Sequence, residues 1–180
     1  MTAHHTMLQF IATGDHKLMH KINHWPAPRW VRLSAILATR AGDGWIWYLT
    51  GLCVLLFGGK NRLTAIMAAG SAALLGIGIF ILLKKVSGRK RPCEIDPHCW
   101  AKILPPDQFS FPSGHTITAF AVAIALGEFY SALLPPLLFC AFCIAISRIL
   151  LGMHFVSDVV VGALLGTGLA LSTHAILTTI

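Results

Sequence analysis

LTAIMAAGSAALLGIGIFILL, residues 63–83, runs for twenty-one residues without a charge and is closed by Lys84 and Lys85. A helix that crosses the hydrocarbon layer needs about 20 apolar residues, so this stretch spans outright. Three other stretches carry almost no charge, at 116–134, 137–147 with its continuation to 153, and 159–173. They are shorter or hold one ionisable group. A fifth, 44–59, is uncharged but short, and crosses only if the bilayer thins or Arg40 and Lys60 snorkel from its ends. With 56% hydrophobic and 12% charged residues in 180, the class is a membrane protein rather than a soluble domain. The expected fold is all-α, a polytopic membrane helix bundle of five spans, with six as the alternative.

The chain reads as one domain, 1–180, because it holds no long linker, low-complexity tract or internal repeat. Within it, 44–180 forms the bundle and 1–43 an amphipathic interfacial segment. Leu18, Ile22 and Trp25 recur at helical spacing, as do Trp30, Leu33 and Leu37, with Lys17, Lys21, Arg29, Arg32 and Arg40 interleaved. Pro26 and Pro28 divide the two pieces. The pattern fits helices in the headgroup layer with tryptophans at the interface, and equally fits surface helices capping the bundle. Residues 1–14 lack the basic start and apolar run of a secretory signal. Gly162 and Gly166, four apart, read as a site of close helix packing.

Ionisable groups near membrane spans are costly, so where they cluster is informative. Lys84, Lys85, Arg89, Lys90 and Arg91 follow the first span, and Ser113, Gly114 and His115 precede the next. Arg148 sits at the end of the third, and His154 with Asp158 opens the last. Alternating span directions bring all four segments to one membrane face. Lys84, Arg91 and Arg148 can hold a multiply charged oxyanion, the arginines bidentately. Ser113 and the Gly114 N–H lie at a helix start, which favours an anion. His154 and Asp158, four apart on a helix, share a face on which the carboxylate can orient the imidazole. His115 adds a second imidazole, so that one ring can attack phosphorus while the other protonates the leaving oxygen.

Lys84, six residues, Arg91-Pro92; Pro112-Ser113-Gly114-His115; and Ser147-Arg148, five residues, His154, three residues, Asp158 together resemble the three-part signature of the type 2 phosphatidic acid phosphatase family, which is related to vanadium haloperoxidases. The resemblance runs from about Leu63 to the C-terminus. It implies a metal-independent membrane phosphatase that acts on a lipid phosphate. His154 would be the nucleophile forming a phosphohistidine, Asp158 its partner and His115 the acid for the leaving alcohol. Lys84, Arg91, Ser113, Gly114 and Arg148 would bind the phosphate. The candidate substrates are a phosphatidate, a phosphatidylglycerophosphate or a polyprenyl (di)phosphate. No cofactor, metal, nucleic acid or obligatory protein partner is expected. A vanadate-binding haloperoxidase-like enzyme is disfavoured by the spans and short length, and a non-catalytic lipid-phosphate binder by the intact His115, His154 and Asp158.

Other groups carry less. His16 and His20, four apart, have no third metal ligand at suitable spacing nearby. Cys140 and Cys143 read as small hydrophobes inside a span. Cys93 and Cys99 flank a polar loop as a disulfide or as thiols, and Asp43, between two glycines, reads as a turn residue. Family members with six spans begin with one that precedes a segment comparable to residues 15–44, and this chain, which starts almost at that segment, is expected to lack it. With five, the N-terminus and twelve of the fourteen Lys and Arg residues fall on the site's side, against Lys60 and Arg62 opposite. Cytoplasmic loops are enriched in such residues, so the site is expected to face the cytoplasm from the cell's inner membrane.

Overall fold

The computed structural model describes residues 2–96 and 107–179, with side chains from residue 13. Among the described residues every extended element is a helix: α1 (Thr2–Asn23), α2 (Arg29–Ala41), α3 (Trp45–Phe57), α4 (Arg62–Ser87), α5 (Pro92–Ile95), α6 (Gly114–Phe129), α7 (Leu134–Leu150) and α8 (Val156–Thr179). The expected all-α bundle is therefore the architecture found. α4, α7 and α8 are apolar and long enough to cross a membrane, while α3 and α6 are shorter apolar helices.

α6 is the centre of the bundle and packs against α4, α7 and α8. Small residues allow this. Ala65, Ala68, Ala69 and Ala72 recur at i, i+3, i+4 and i+7 on α4 and are buried, as are Ala119, Ala121, Ala123 and Ala125 of α6. A Cβ on Gly166 would stand 2.4 Å from the Ile117 carbonyl oxygen, and one on Gly162 2.9 Å from that of Ser113. The expected close packing at this glycine pair is thus α8 against α6. Large apolar side chains face outward instead, among them Leu74, Leu82, Phe139 and Leu164. Alanine and glycine inside with leucine and phenylalanine outside is the arrangement of a bundle solvated by lipid, where close approach rather than water exclusion drives packing.

The amphipathic segment forms two helices divided at the prolines, as expected, although α1 begins well before Asp15. α2 buries Ala35 and Thr39 and packs on α7, while Trp30, Leu33 and Leu37 remain exposed. It caps the bundle with one face and offers tryptophan and leucine with the other. α4 ends where Gly88 adopts φ 56°, a left-handed cap in which its N–H reaches the Lys84 carbonyl. That stop turns the chain toward Arg91.

Candidate active site

The four expected segments do meet at one end of the bundle. Their charged groups, and side chains from α3, line a cavity of about 460 Å³. Lys84, Arg91, Arg148, His154, His115, Asp43 and Asp107 form its polar end, and Trp47, Tyr48, Ala73, Ile77, Phe80 and Val122 its apolar one.

Arg91, at 1% exposure, is fixed on several sides. Its Nε donates to the Asp107 carbonyl at 2.8 Å, Nη2 to Asp107 Oδ1 at 2.8 Å, and Nη1 to the Met153 carbonyl at 2.9 Å. Lys84 pairs with the other oxygen of Asp107 and lies 5.0 Å above the Phe80 ring. Burial pushes the Asp107 carboxyl upward, but the hydrogen bonds and charges of Lys84 and Arg91 outweigh it and hold the group below the usual carboxylate range. Arg148 donates from Nη1 to Thr39 Oγ1 at 2.5 Å, and its buried Nε has no partner among the described residues. A desolvated guanidinium N–H left open beside a cavity is suited to an entering anion.

His154 is 1% exposed and sits in the turn between α7 and α8. The Arg148 carbonyl accepts the N–H of Met153 at 3.0 Å and of His154 at 3.2 Å, which ties the imidazole to the arginine that ends α7. Its Nδ1 lies 2.5 Å from the Ser110 carbonyl. A carbonyl only accepts, so Nδ1 carries the proton and Nε2 the lone pair. Nε2 stands 3.3 Å from Arg91 Nη1. Burial, then the charges of Arg148, Arg91 and Lys84, push the imidazole well below the ordinary histidine value, and the Ser110 bond only partly opposes them. The free site therefore holds a neutral ring among three cations, with its Nε2 lone pair accepting from Arg91 Nη1.

One expectation needs correction. His154 precedes α8, so it shares no helical face with Asp158, whose Oδ2 is 3.7 Å from Nδ1. That oxygen accepts the Phe155 N–H at 2.8 Å, an N-terminal cap, and Oδ1 takes Arg89 Nη1 at 2.7 Å. Asp158 holds the turn bearing His154, while Ser110 sets its tautomer. Ser113 is also displaced from its expected place. It is fully buried, gives its N–H to the Asp158 carbonyl at 3.2 Å and accepts the Thr116 hydroxyl at 2.9 Å, behind the cavity wall. Gly114 does line the cavity, at the N-terminus of α6.

His115 faces the cavity with Nε2 2.8 Å from Asp43 Oδ1. Asp43 therefore does more than turn the chain, and the sequence hinted at this only by placing it on the same membrane face as the site. Asp107, Ser110, Thr39 and Arg89 were likewise invisible as site residues, because each reaches its partner across the fold. Arg89 also binds Asp15 Oδ2 at 2.8 Å and stacks 4.0 Å over the Phe155 ring, which anchors α1 to the start of α8. Cys140 and Cys143 are partly buried in α7, as expected of small hydrophobes. Cys99 lies outside the described residues, and with it any pairing to Cys93.

A family model for the PAP2 superfamily matches residues 63–180. The chain is 38% identical over 100 residues to decaprenylphosphoryl-5-phosphoribose phosphatase of Mycobacterium tuberculosis, covering 56% of this chain and 54% of that protein. It thus spans about half the length of these mycobacterial relatives. Lipid A 1-phosphatase of Rhizobium johnstonii is 27% identical over 168 residues, covering 82% and 68% of the two chains. Among solved structures, the transmembrane PAP2-type phosphatidylglycerolphosphate phosphatase of Bacillus subtilis superposes with a TM-score of 0.71 at 22% identity over 94% of this chain and 87% of its own. For LpxE of Aquifex aeolicus the values are 0.69, 25%, 87% and 92%.

Proposed function

Because the chain belongs to the PAP2 superfamily, we propose that it is an integral membrane phosphatase that hydrolyses the phosphate ester or diphosphate of a lipid through a phosphohistidine on His154. The observation that carries this reading is the unprotonated Nε2 of a buried, neutral histidine, 3.3 Å from Arg91 Nη1, at the head of a cavity whose far end is apolar. A phosphate can enter the cationic end while the chain of its lipid lies against Ile77, Phe80 and Val122. The named relatives act on lipid phosphates of several kinds, and Ile77, Phe80 and Val122 offer no hydrogen-bonding side chain by which to choose among acyl and prenyl tails.

In this mechanism Nε2 attacks phosphorus, the N–P bond forms and the bond to the leaving oxygen breaks. Arg91, Arg148 and Lys84 hold the equatorial oxygens, joined by the N–H groups at the start of α6. Asp43 engages Nε2 of His115 and orients the ring. The proton for the leaving oxygen then comes from His115, which next takes one from the water that attacks the phosphohistidine. That second attack breaks the N–P bond, releases inorganic phosphate and restores the lone pair. Asp158 and Ser110 act through His154 as positioning residues.

The test is phosphate release from a panel of lipid phosphates by the protein purified in detergent with a chelator. His154→Ala should abolish turnover, and a fully active variant would remove the mechanism. Arg148→Ala should lower kcat and kcat/KM together, because the contact strengthens as oxyanion charge develops. Undiminished activity would reassign Arg148 to anchoring. The excess of Lys and Arg at this end supports an inner-membrane protein whose site opens to the cytoplasm.

A further inference from the structure

Outside the phosphate cavity, α1 and the turn after it carry His16, His20 and His24 one turn apart, and the fold places Asp96 against the last two. His20 Nδ1 is 3.2 Å from Asp96 Oδ2, and His24 Nδ1 is 3.7 Å from the same oxygen. The two rings lie 4.1 Å apart between centroids. One ligand atom from each residue falls within 4.8 Å of the others. Donors on a tetrahedral Zn²⁺, bonded at about 2.0 to 2.2 Å, stand roughly 3.3 to 3.6 Å apart. His24 Nδ1 also lies 2.9 Å from the His20 carbonyl, the kind of bond that fixes a ring so that Nε2 presents its lone pair to a metal.

A second observation is independent of these rings. Asn23 is 4% exposed and lines the same cavity of about 420 Å³, yet neither its amide nitrogen nor its oxygen has a partner among the described residues. A buried amide without a hydrogen bond is costly, and this one borders a space that contains the carboxylate and imidazoles. A single histidine–aspartate ion pair would occupy one imidazole. It would leave the buried amide without a partner among the described residues.

We propose that His20, His24 and Asp96 bind a divalent transition-metal ion of the Zn²⁺ type, with the Asn23 oxygen completing the shell directly or through water. The pattern missing from the sequence was the third ligand, which comes from 76 residues away. The ion takes no part in phosphoryl transfer. It braces α1 against the segment that follows Arg91, since Pro92 and Phe155, the neighbours of Arg91 and His154, form the wall of this second cavity. Two imidazoles and a carboxylate favour Zn²⁺ or Co²⁺ over Mg²⁺, which prefers oxygen donors.

The experiment uses the untagged full chain in detergent, stripped with chelator, desalted and equilibrated with micromolar Zn²⁺ before elemental analysis. About one equivalent should be retained and the thermal midpoint should rise, whereas His20→Ala/His24→Ala and Asp96→Asn should each weaken retention at least tenfold, with His16→Ala unchanged. His20 and His24 are exposed on the surface, so these substitutions spare the packed interior. Co²⁺ added to the unaltered protein provides a reading that needs no variant, a visible absorption of tetrahedral intensity. Failure to retain Zn²⁺, equal retention by the double variant, or a Mg²⁺ shift as large as that of Zn²⁺ would each overturn the site. Phosphatase activity is not among these readouts, so the test is separate from that of the catalytic reading.

Discussion

His154 is held neutral by the surroundings that make it useful. Three cations and complete burial oppose a proton on the ring, and the Ser110 carbonyl keeps the one proton it has on Nδ1. The acid limb of kcat/KM reports groups of the free enzyme. Because the histidine there sits well below its usual value of about 6.5, lowering pH through 6.5 should not inactivate the nucleophile. A pH profile falling with an inflection near 6.5, and abolished by no other substitution, would contradict the assignment. The same shift has a stability consequence of opposite sense. Below about pH 6.5 the unfolded chain binds a proton that the folded ring refuses, so the contribution is fully present above that value and is lost as pH falls. Asp43 acts one residue further out. Asp43→Asn should lower kcat about ten- to a hundredfold, a fraction of the roughly 10²–10⁴ that proton transfer supplies, with little change in KM. If its role is to orient His115 as an acid, the defect shrinks for a substrate whose leaving group needs no proton, such as a nitrophenyl phosphate. A purely structural role would impair both substrates alike.

At the scale of elements, the approach of α8 to α6 decides how near Asp158 and the Ser113 turn can come. Gly166 has no room for a methyl group, since its Cβ would lie 2.4 Å from the Ile117 oxygen and 3.0 Å from the Ala121 nitrogen. Gly168, two residues on, has nothing within 4 Å. Gly166→Ala should therefore destabilise the protein by about 1–3 kcal/mol through overpacking. Gly168→Ala should be neutral or slightly stabilising, because alanine is the better helix former. Thermal unfolding in detergent compares them directly, and equal midpoints would mean that the bundle relaxes at this contact. The Gly162–Gly166 pair was legible in the sequence because four-residue spacing of small residues is a local pattern. So were Lys84, Arg91, Arg148, His115 and His154, whose short motifs sit at the ends of apolar runs. What stayed hidden depends on chain return. Asp43 meets His115 across 72 residues, Arg89 meets Asp15 across 74, and Thr39 meets Arg148 across 109. No periodicity encodes such pairings. The error at Asp158 had another source, since four-residue spacing implies a shared face only inside a helix, and α8 begins two residues after His154.

For the whole molecule, the unequal ends of the bundle bear on its orientation. The site end gathers α1, α2 and the Lys84–Arg91 cations, whereas Lys60 and Arg62 stand at the opposite end of α4. Three of the cations are the proposed phosphate ligands and would be found there on either side of the membrane. Those left over, including Lys17, Lys21, Arg29, Arg32 and Arg40, have no such duty, and their excess is the quantity that follows the cytoplasmic side. Lys60 and Lys90 are both exposed, at opposite ends, and neither belongs to the catalytic set. Placed singly in a chain whose native cysteines are replaced, Lys60→Cys should react with a membrane-impermeant maleimide in intact cells. Lys90→Cys should react only after permeabilisation. The reverse pattern would turn the site outward and assign the surplus cations to anionic headgroups of the outer leaflet. An inward site also requires its lipid phosphate to be presented in the inner leaflet. Vesicles reconstituted in one orientation should then release phosphate only when the substrate occupies the leaflet on the Lys90 side.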